Sequence, residues 1–425
     1  MWYNAFRMEE KLTPPKPLWT KDFTIITLGS TVSLLGNALA GFAMSLFVLD
    51  FTSNALLYAV FLAVFTLPQI IVPFVSGAFL DRFSRKKTIY RLDFLSALIY
   101  SVFGLVMKAG WFSFPLLAAV TFLVGTIQSV YIVAYESFYP MLISEGNYTK
   151  AYSISSVLET LTSVMVPVSA FLYNLVGIFP LLEITALFFL IAAIVETRVT
   201  AEEPYVNTRQ SDKKELPLFG RIRSDLREGI RYLKSEKGLL AITLYFTFCF
   251  LGYGASNTIT LPYFKSTFPN GEYTYTVVWG MSVIGRALGG ALYYNIKIPA
   301  KKKYSITVAV YILTALIEGF YLYTTVPFMM AVCFFSGLLS VTSYTIRVSA
   351  TQSYVPNEKR GRFNGIFNML TTTGSFVGEL LAGLLALTFS PRHVLTAFML
   401  MNVVMVIIFI VGKKSKVSGI YNRDQ

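Results

Sequence analysis

Four ionisable residues, Glu159, Arg286, Glu318 and Glu379, fall deep inside long apolar runs. A charged group in a bilayer costs several kcal/mol and faces a partner or water, so each is a functional candidate. The chemistry such a carboxyl offers is uptake and release of a proton. On that ground all four are candidates, for proton coupling or for an ion pair within the membrane. Asp50 and Glu183 fall near one set of run ends, and Asp93, Glu136 and Arg347 near the other. All five are close enough to an end to reach the interface.

Two apolar runs carry polar and aromatic residues at helical spacing. One holds Gln128, Tyr131, Tyr135 and Tyr139; the other holds Tyr245, Cys249, Tyr253 and Asn257, with Gly252 and Gly254 beside them. Aromatic walls with a few polar tips suit a lipophilic or amphiphilic ligand. Ordinary helix packing explains such stripes equally well, and interfacial placement explains Tyr139. Asn37, beside Gly36, is a further polar candidate for a ligand cavity. The chain has one histidine, His393, and no Gly-Lys-Ser/Thr phosphate loop. Neither a zinc site, nor a Ser-His-Asp triad, nor ATP hydrolysis is therefore expected, and no cofactor or metal is implied.

These residues need elements long enough to hold them in a membrane, and the composition supplies them. Of 425 residues 55% are hydrophobic and 14% charged, against about 25% charged in soluble domains. A soluble enzyme, a disordered chain and a disulfide scaffold are excluded. The net charge of +13 comes from 36 Lys and Arg against 23 Asp and Glu. The basic residues cluster between apolar runs, which fits membrane topology rather than nucleic-acid binding. Cys249 and Cys333 both lie in apolar runs and imply no disulfide framework.

A spanning helix needs about 20 mainly apolar residues. Twelve runs meet this: Phe23–Phe51, Ala55–Phe79, Thr88–Met107, Phe114–Phe138, Ala151–Leu175 and Leu181–Val195, then Leu239–Leu261, Tyr275–Tyr293, Ser305–Tyr323, Pro327–Ala350, Phe363–Phe389 and Leu395–Val411. They do not alternate as β-barrel strands do. The first run is too long for a signal-peptide core and reads as a retained span. With the N-terminus inside, inner segments carry 32 Lys and Arg, and outer segments only Lys108, Lys265 and Arg392. Both termini are therefore expected in the cytoplasm of a cell or inner membrane.

The expected organisation is a cytoplasmic segment 1–21, a six-helix bundle 22–195, a cytoplasmic linker 196–237, a second six-helix bundle 238–412 and a cytoplasmic tail 413–425. Within the linker, Leu226, Ile230 and Leu233 recur at helical spacing, as in an amphipathic or simply connecting helix. A weak internal repeat relates the halves. Gly77-Ala-Phe-Leu-Asp-Arg ends the second run, Gly290-Ala-Leu-Tyr-Tyr-Asn ends the eighth, and lysines follow each. Internal repeats of this kind mark secondary transporters, with the site near mid-membrane between halves.

The segment from Gly77 through Asp81, Arg82 and Arg85 to Lys87 resembles the signature loop of the major facilitator superfamily, and it lies between spans two and three as in that family. Ser84 stands where glycine is usual. Leu226–Leu233 and Val355–Arg362 look like the macrolide-efflux branch of drug:proton antiporters. The fourth-span arginine of the drug exporters is missing, with Gln128 and Glu136 the polar residues there, and Pro167 lacks the flanking glycines of the antiporter signature. The resemblance covers nearly the whole chain. It implies an all-α fold of twelve helices in two pseudo-symmetric bundles, acting as a monomer. By the same resemblance Gly77, Asp81, Arg82, Arg85 and Glu136 form a gate that holds the halves together on the inner side, a topology signal alone being the other reading of this cluster. The resemblance also turns Glu159, Arg286 and Glu379 inward, which makes Glu159 and Glu379 candidates for proton coupling with Arg286 as an ion-pair partner, and leaves Glu318, on the peripheral ninth span, a structural group.

The function expected is proton-coupled export of lipophilic or amphiphilic small molecules by alternating access. An importer, or a carrier of lysolipids or siderophores, is the alternative within transport; a membrane-embedded enzyme or receptor is a more distant one. The intramembrane charge is predominantly acidic, which fits neutral or cationic compounds.

Overall fold

In a computed structural model of the chain, the described residues are 17–80, 83–144, 151–203 other than 152, 153, 156, 157, 159, 160 and 163, then 218–295 and 299–422. Asp81, Arg82 and Glu159 lie outside them. All regular structure among the described residues is helical. The first half comprises α1 (Lys21–Thr52), α2 (Ala55–Leu80), α3 (Arg85–Lys108), α4 (Phe114–Phe138), α5 (Met165–Val176) and α6 (Ile178–Glu196). A linker helix α7 (Leu218–Ser235) leads to α8 (Lys237–Thr267), α9 (Gly271–Asn295), α10 (Ala300–Phe320), α11 (Val326–Tyr354), α12 (Asn357–Leu385), α13 (Pro391–Met405) and α14 (Lys414–Tyr421). A π-helical turn, Val406–Val411, prolongs α13.

Local sequence explains where the helices begin. The Thr20 hydroxyl accepts from the Phe23 amide at 3.3 Å and the Ser113 hydroxyl from Leu116 at 3.4 Å, each satisfying a donor that the first turn leaves open. Among the described residues nine helices are long and apolar enough to cross a membrane, and Met165–Val176 is a shorter apolar one. The sixth run, the shortest in the sequence, extends to all 19 residues of α6.

The halves repeat one packing scheme. In the first, α1 packs on α5 and α6, α2 on α4, and α3 on α4 and α6; in the second, α8 packs on α12 and α13, α9 on α11, and α10 on α11 and α13. Helices in equivalent positions make equivalent contacts, so the weak sequence repeat reflects a structural one. Helices α9 and α12 are not among the nine; both mix charged, polar and glycine residues into their apolar stretches. Gly374 and Gly378 press α12 against the backbone of Thr247 and Leu251 in α8, and Gly285 presses α9 against Phe334 in α11. A Cβ at any of these positions would overlap a neighbouring carbonyl. Membrane helices approach closely at such small residues.

Between the halves the main contact is α2 on α12, with α5 on α9 opposite it. At the end of the bundle remote from the chain termini, Leu261 of α8 is buried in the apolar cluster of the first half, and Tyr275 of α9 packs on the same cluster. At the end bearing the termini, each half keeps its own cluster, one around Phe23 and Tyr139, the other around Tyr245, Phe363 and Tyr421. These are called here the far end and the terminal end.

Two segments outside the spans, in the linker and in the tail, pack on the second half. Helix α7 lays Gly229 against Ile366 and buries Leu233 in the second half, with Arg362 bonded to Glu228 at 2.5 Å. Tyr232 sits under the Lys359 ammonium, 4.6 Å from the ring centroid. Burial, helped by the Glu236 carboxylate, holds the Tyr232 phenol above its ordinary range. Within the segment expected as a tail, α14 inserts Val417, Ile420 and Tyr421 into the same core. The Tyr421 hydroxyl meets that of Tyr311 at 3.1 Å. Three apolar side chains at helical spacing explain this docking.

Candidate transport cavity and gate

The loop between α2 and α3 is tied to the start of the linker. Ser84, extended at φ −63° and ψ 117°, caps α3 by accepting from the Lys87 amide at 3.2 Å, and its hydroxyl donates to Glu203. The Arg85 amide donates to the same Glu203 carboxylate at 2.7 Å, and the Lys86 ammonium to the Ala201 carbonyl at 2.6 Å. An acidic side chain at a helix N-terminus is favoured by both the open N–H groups and the dipole. Serine at 84, where glycine is usual, is thus a helix cap. The Arg85 guanidinium donates to the Ser137 carbonyl at 2.9 Å, at the end of α4. Glu136, on that same last turn, is exposed.

At the far end the halves are fastened by polar and aromatic pairs. Lys265 of α8 donates to Asp50 of α1, which also accepts from the Tyr173 hydroxyl at 2.7 Å. The Asn174 amide reaches Glu272 at 3.2 Å and the Tyr273 hydroxyl at 3.3 Å. Phe42 stacks on Tyr275 with centroids 6.1 Å apart. Asp50 was expected merely to reach the interface; its pairing across the halves could not be read from its own surroundings in sequence.

The same helix faces carry exposed residues further along. Tyr253, Asn257, Leu261 and Lys265 recur at intervals of four along α8, hence on one face. Leu261 and Lys265 touch the first half, while Tyr253 is 56% exposed and Asn257 is exposed. On α9, Arg286 follows Tyr275 by three turns and is exposed. Gln128 and Asn37 are half-buried. Tyr131, Tyr135 and Tyr245 belong to the interior of their halves instead. Tyr131 is packed in the terminal-end cluster and stacked on Tyr135, and Tyr245 stacks on Tyr311 at 4.6 Å.

Glu379 lies where the halves meet. It is 4% exposed, and one carboxylate oxygen accepts from Thr66 of α2 and Ser375 of α12, each at 3.4 Å; the other is buried without a hydrogen bond. Arg286 instead sits over the Trp279 ring, 5.5 Å from its centroid. Glu318 accepts from Ser336, in keeping with a structural role, and Glu183 accepts from Ser101 at 2.9 Å.

A second carboxyl site was missed in sequence. Asp93 of α3 and Glu196, the last residue of α6, are each 1% exposed and lie close together. Ser33 donates to Asp93, and the Tyr131 hydroxyl reaches Glu196 at 3.5 Å. Glu196 follows the sixth apolar run by one residue, so it was assigned to the linker. Gly29, which leaves room for the Glu196 side chain, is the only local sign of this pairing.

The sequence matches the Major Facilitator Superfamily over residues 26–378 and again over 297–422. The chain belongs to that family. It is 24% identical over 382 residues to macrolide efflux protein A of Streptococcus pyogenes, covering 88% of this chain and 92% of that one. It is 26% identical over 276 residues to the uncharacterized MFS-type transporter YkuC of Bacillus subtilis, a match spanning 62% of YkuC's length and 64% of this chain. A variant of the nucleoside transporter NupG superposes with a TM-score of 0.65 at 12% identity over 93% of this chain and 99% of that one, and NupG itself with 0.63. At that identity the likeness is one of fold. As a member of the superfamily, the chain is a multi-pass membrane transporter of a small-molecule substrate and not an enzyme.

Proposed function

We propose that this transporter exports lipophilic or amphiphilic small molecules by alternating access, as a monomer, coupled to protons. Its terminal end faces the cytoplasm of the cell or inner membrane, and its bundles comprise 22–195 and 238–412. The observation that carries coupling is the Glu379 carboxyl, which bonds Thr66 of one half and Ser375 of the other. A proton gained or lost there changes a contact that must be remade whenever the halves rock. A transporter responds to a ligand only through a difference between its two states, and this carboxyl supplies one. The 24% identity to a macrolide efflux protein supports export. The far-end fastening and the exposure of Tyr253, Asn257 and Arg286 support reading this arrangement as an inward-open state. The signature loop is the gate of that open side: Gly77, Asp81, Arg82, Arg85 and Glu136 hold it shut in the opposite state. Glu159 remains a second candidate for the proton.

Proteoliposomes with an imposed pH gradient, screened against a lipophilic panel, test the reading. Substrate-dependent proton flux that vanishes in Glu379→Gln is expected. Flux unchanged in Glu379→Gln would remove that carboxyl from coupling, and no flux for any compound would remove proton coupling altogether.

A further inference from the structure

Within the spanning helices the described acids are already engaged. Asp93 accepts from Ser33 and Glu196 from Tyr131, Glu183 and Glu318 accept from serines, and Glu379 accepts from Thr66 and Ser375. The arginines are not. Arg286 lies over Trp279, and Arg347 of α11 lies over three rings: Phe367 at 4.7 Å, Phe246 at 5.0 Å and Tyr344 at 5.4 Å from the centroids. Among the described residues neither guanidinium has a carboxylate or a hydrogen-bonding partner. Ring faces attract the charge but leave the N–H donors of each fork unused. A guanidinium within a spanning helix whose donors meet no protein acceptor is open to water and to an anion that visits it.

Both arginines are placed to receive one. Arg286 shares the α9 face that Tyr275 presents to the other half, and its side chain is exposed. Arg347 leans from α11 across Phe246 of α8 and Phe367 of α12, beside Tyr344, which is 62% exposed. Helices α9 and α11 pack side by side. Arg286 precedes the end of α9 by nine residues and Arg347 precedes the end of α11 by seven, which puts both about 10–14 Å from the terminal end.

We propose that Arg286 and Arg347 form an anion-binding site on the wall of the second half, and that the transported amphiphile carries a carboxylate or phosphate there. The guanidinium fork matches both groups in geometry, and the flanking rings accommodate an apolar body. The acidic bias of the sequence pointed to neutral or cationic compounds. That bias is offset because the described acids each accept at least one hydrogen bond within the helix packing, while neither arginine has such a partner among the described residues. This assignment rests on the transport reading above and names the class of its substrate.

The test uses the full chain in nanodiscs of zwitterionic lipid. Dodecyl phosphate, dodecanoate, dodecanol and dodecyltrimethylammonium share one tail, and their binding is read by isothermal titration and by tryptophan quenching, for which Trp279 adjoins the site. The anionic compounds are expected to bind at least about tenfold more tightly, the ratio one charge-assisted hydrogen bond supplies. Arg286→Gln and Arg347→Gln should each reduce that preference, and Arg347→Lys should retain part of it. Equal binding of all four headgroups by the wild-type protein overturns the proposal without recourse to any variant. So does a preference that survives in a folded double Gln variant. A lysophosphatidate that outcompetes dodecyl phosphate assigns the anion to a lipid headgroup, and the reverse assigns it to a free amphiphile; either supports the site. Proton-driven movement of neutral compounds without headgroup preference would sink this proposal and leave the transport reading intact. Anion binding without proton-driven flux would do the opposite.

Discussion

Lys265, near the far end of α8, donates to Asp50, at the far end of α1, and so fastens the two halves of the molecule on one side only. The side chains are 25% and 44% exposed, and pairs this exposed contribute at most about 1 kcal/mol. That is enough to shift a balance between two states of similar energy. Asp50→Asn or Lys265→Gln should therefore raise far-end accessibility, read as faster maleimide labelling of a cysteine placed at Tyr173. A disulfide between Asp50→Cys and Lys265→Cys should arrest transport until it is reduced. Transport that continues through the cross-link would show that the far end need not open.

The glycine contacts give a sharper packing prediction. Gly378 of α12 meets the Leu251 carbonyl of α8 with no room for a side chain. Gly378→Leu should force the helices apart, at a cost of about 1–3 kcal/mol or more, and lower the melting temperature in detergent. Gly280→Leu is the control, since nothing lies within 4 Å of a Cβ there, and it should melt like the wild type.

Asp93 and Glu196 offer a test of whether their hydrogen bonding or their charge matters. Glu196→Gln keeps the shape and the contact with Tyr131, and should change thermal stability little. Glu196→Ala removes that contact and opens a cavity, a loss of about 2–4 kcal/mol. Differential scanning fluorimetry of the two variants decides, and equal melting of both would mean the pair is dispensable.

The last α-helix should matter although it lies outside the spans. Tyr421 is fully buried, so Tyr421→Ala should destabilise the second half by about 3 kcal/mol. Tyr421→Phe removes only the 3.1 Å contact with Tyr311 and should cost about 1 kcal/mol. Limited proteolysis at increasing temperature separates these outcomes.

Much of this architecture is legible in the chain because the membrane imposes length and apolarity on each span. Runs such as Phe114–Phe138 coincide with their helix to the residue. Where polar residues begin a helix, hydropathy misplaces it: α12 starts at Asn357, six residues before the apolar run. The sites were less legible. A stripe at helical spacing shows which residues share a face, not what that face meets, so Tyr131 and Tyr245 resembled cavity residues and proved to be core. Glu379 was found because one carboxyl in an apolar run is conspicuous by itself. Asp93 with Glu196, and Asp50 with Lys265, are pairs far apart in the chain, and only the fold joins them.

Helix α14 finally bears on the order in which the molecule can be made. Val417, Ile420 and Tyr421 complete a core that also holds residues from α7, α8, α10, α11, α12 and the turn after α13. That core has no closing piece until Tyr421 has left the ribosome. The first half can consolidate while synthesis proceeds; the second waits, with part of its apolar interior open, for residues translated after its last span.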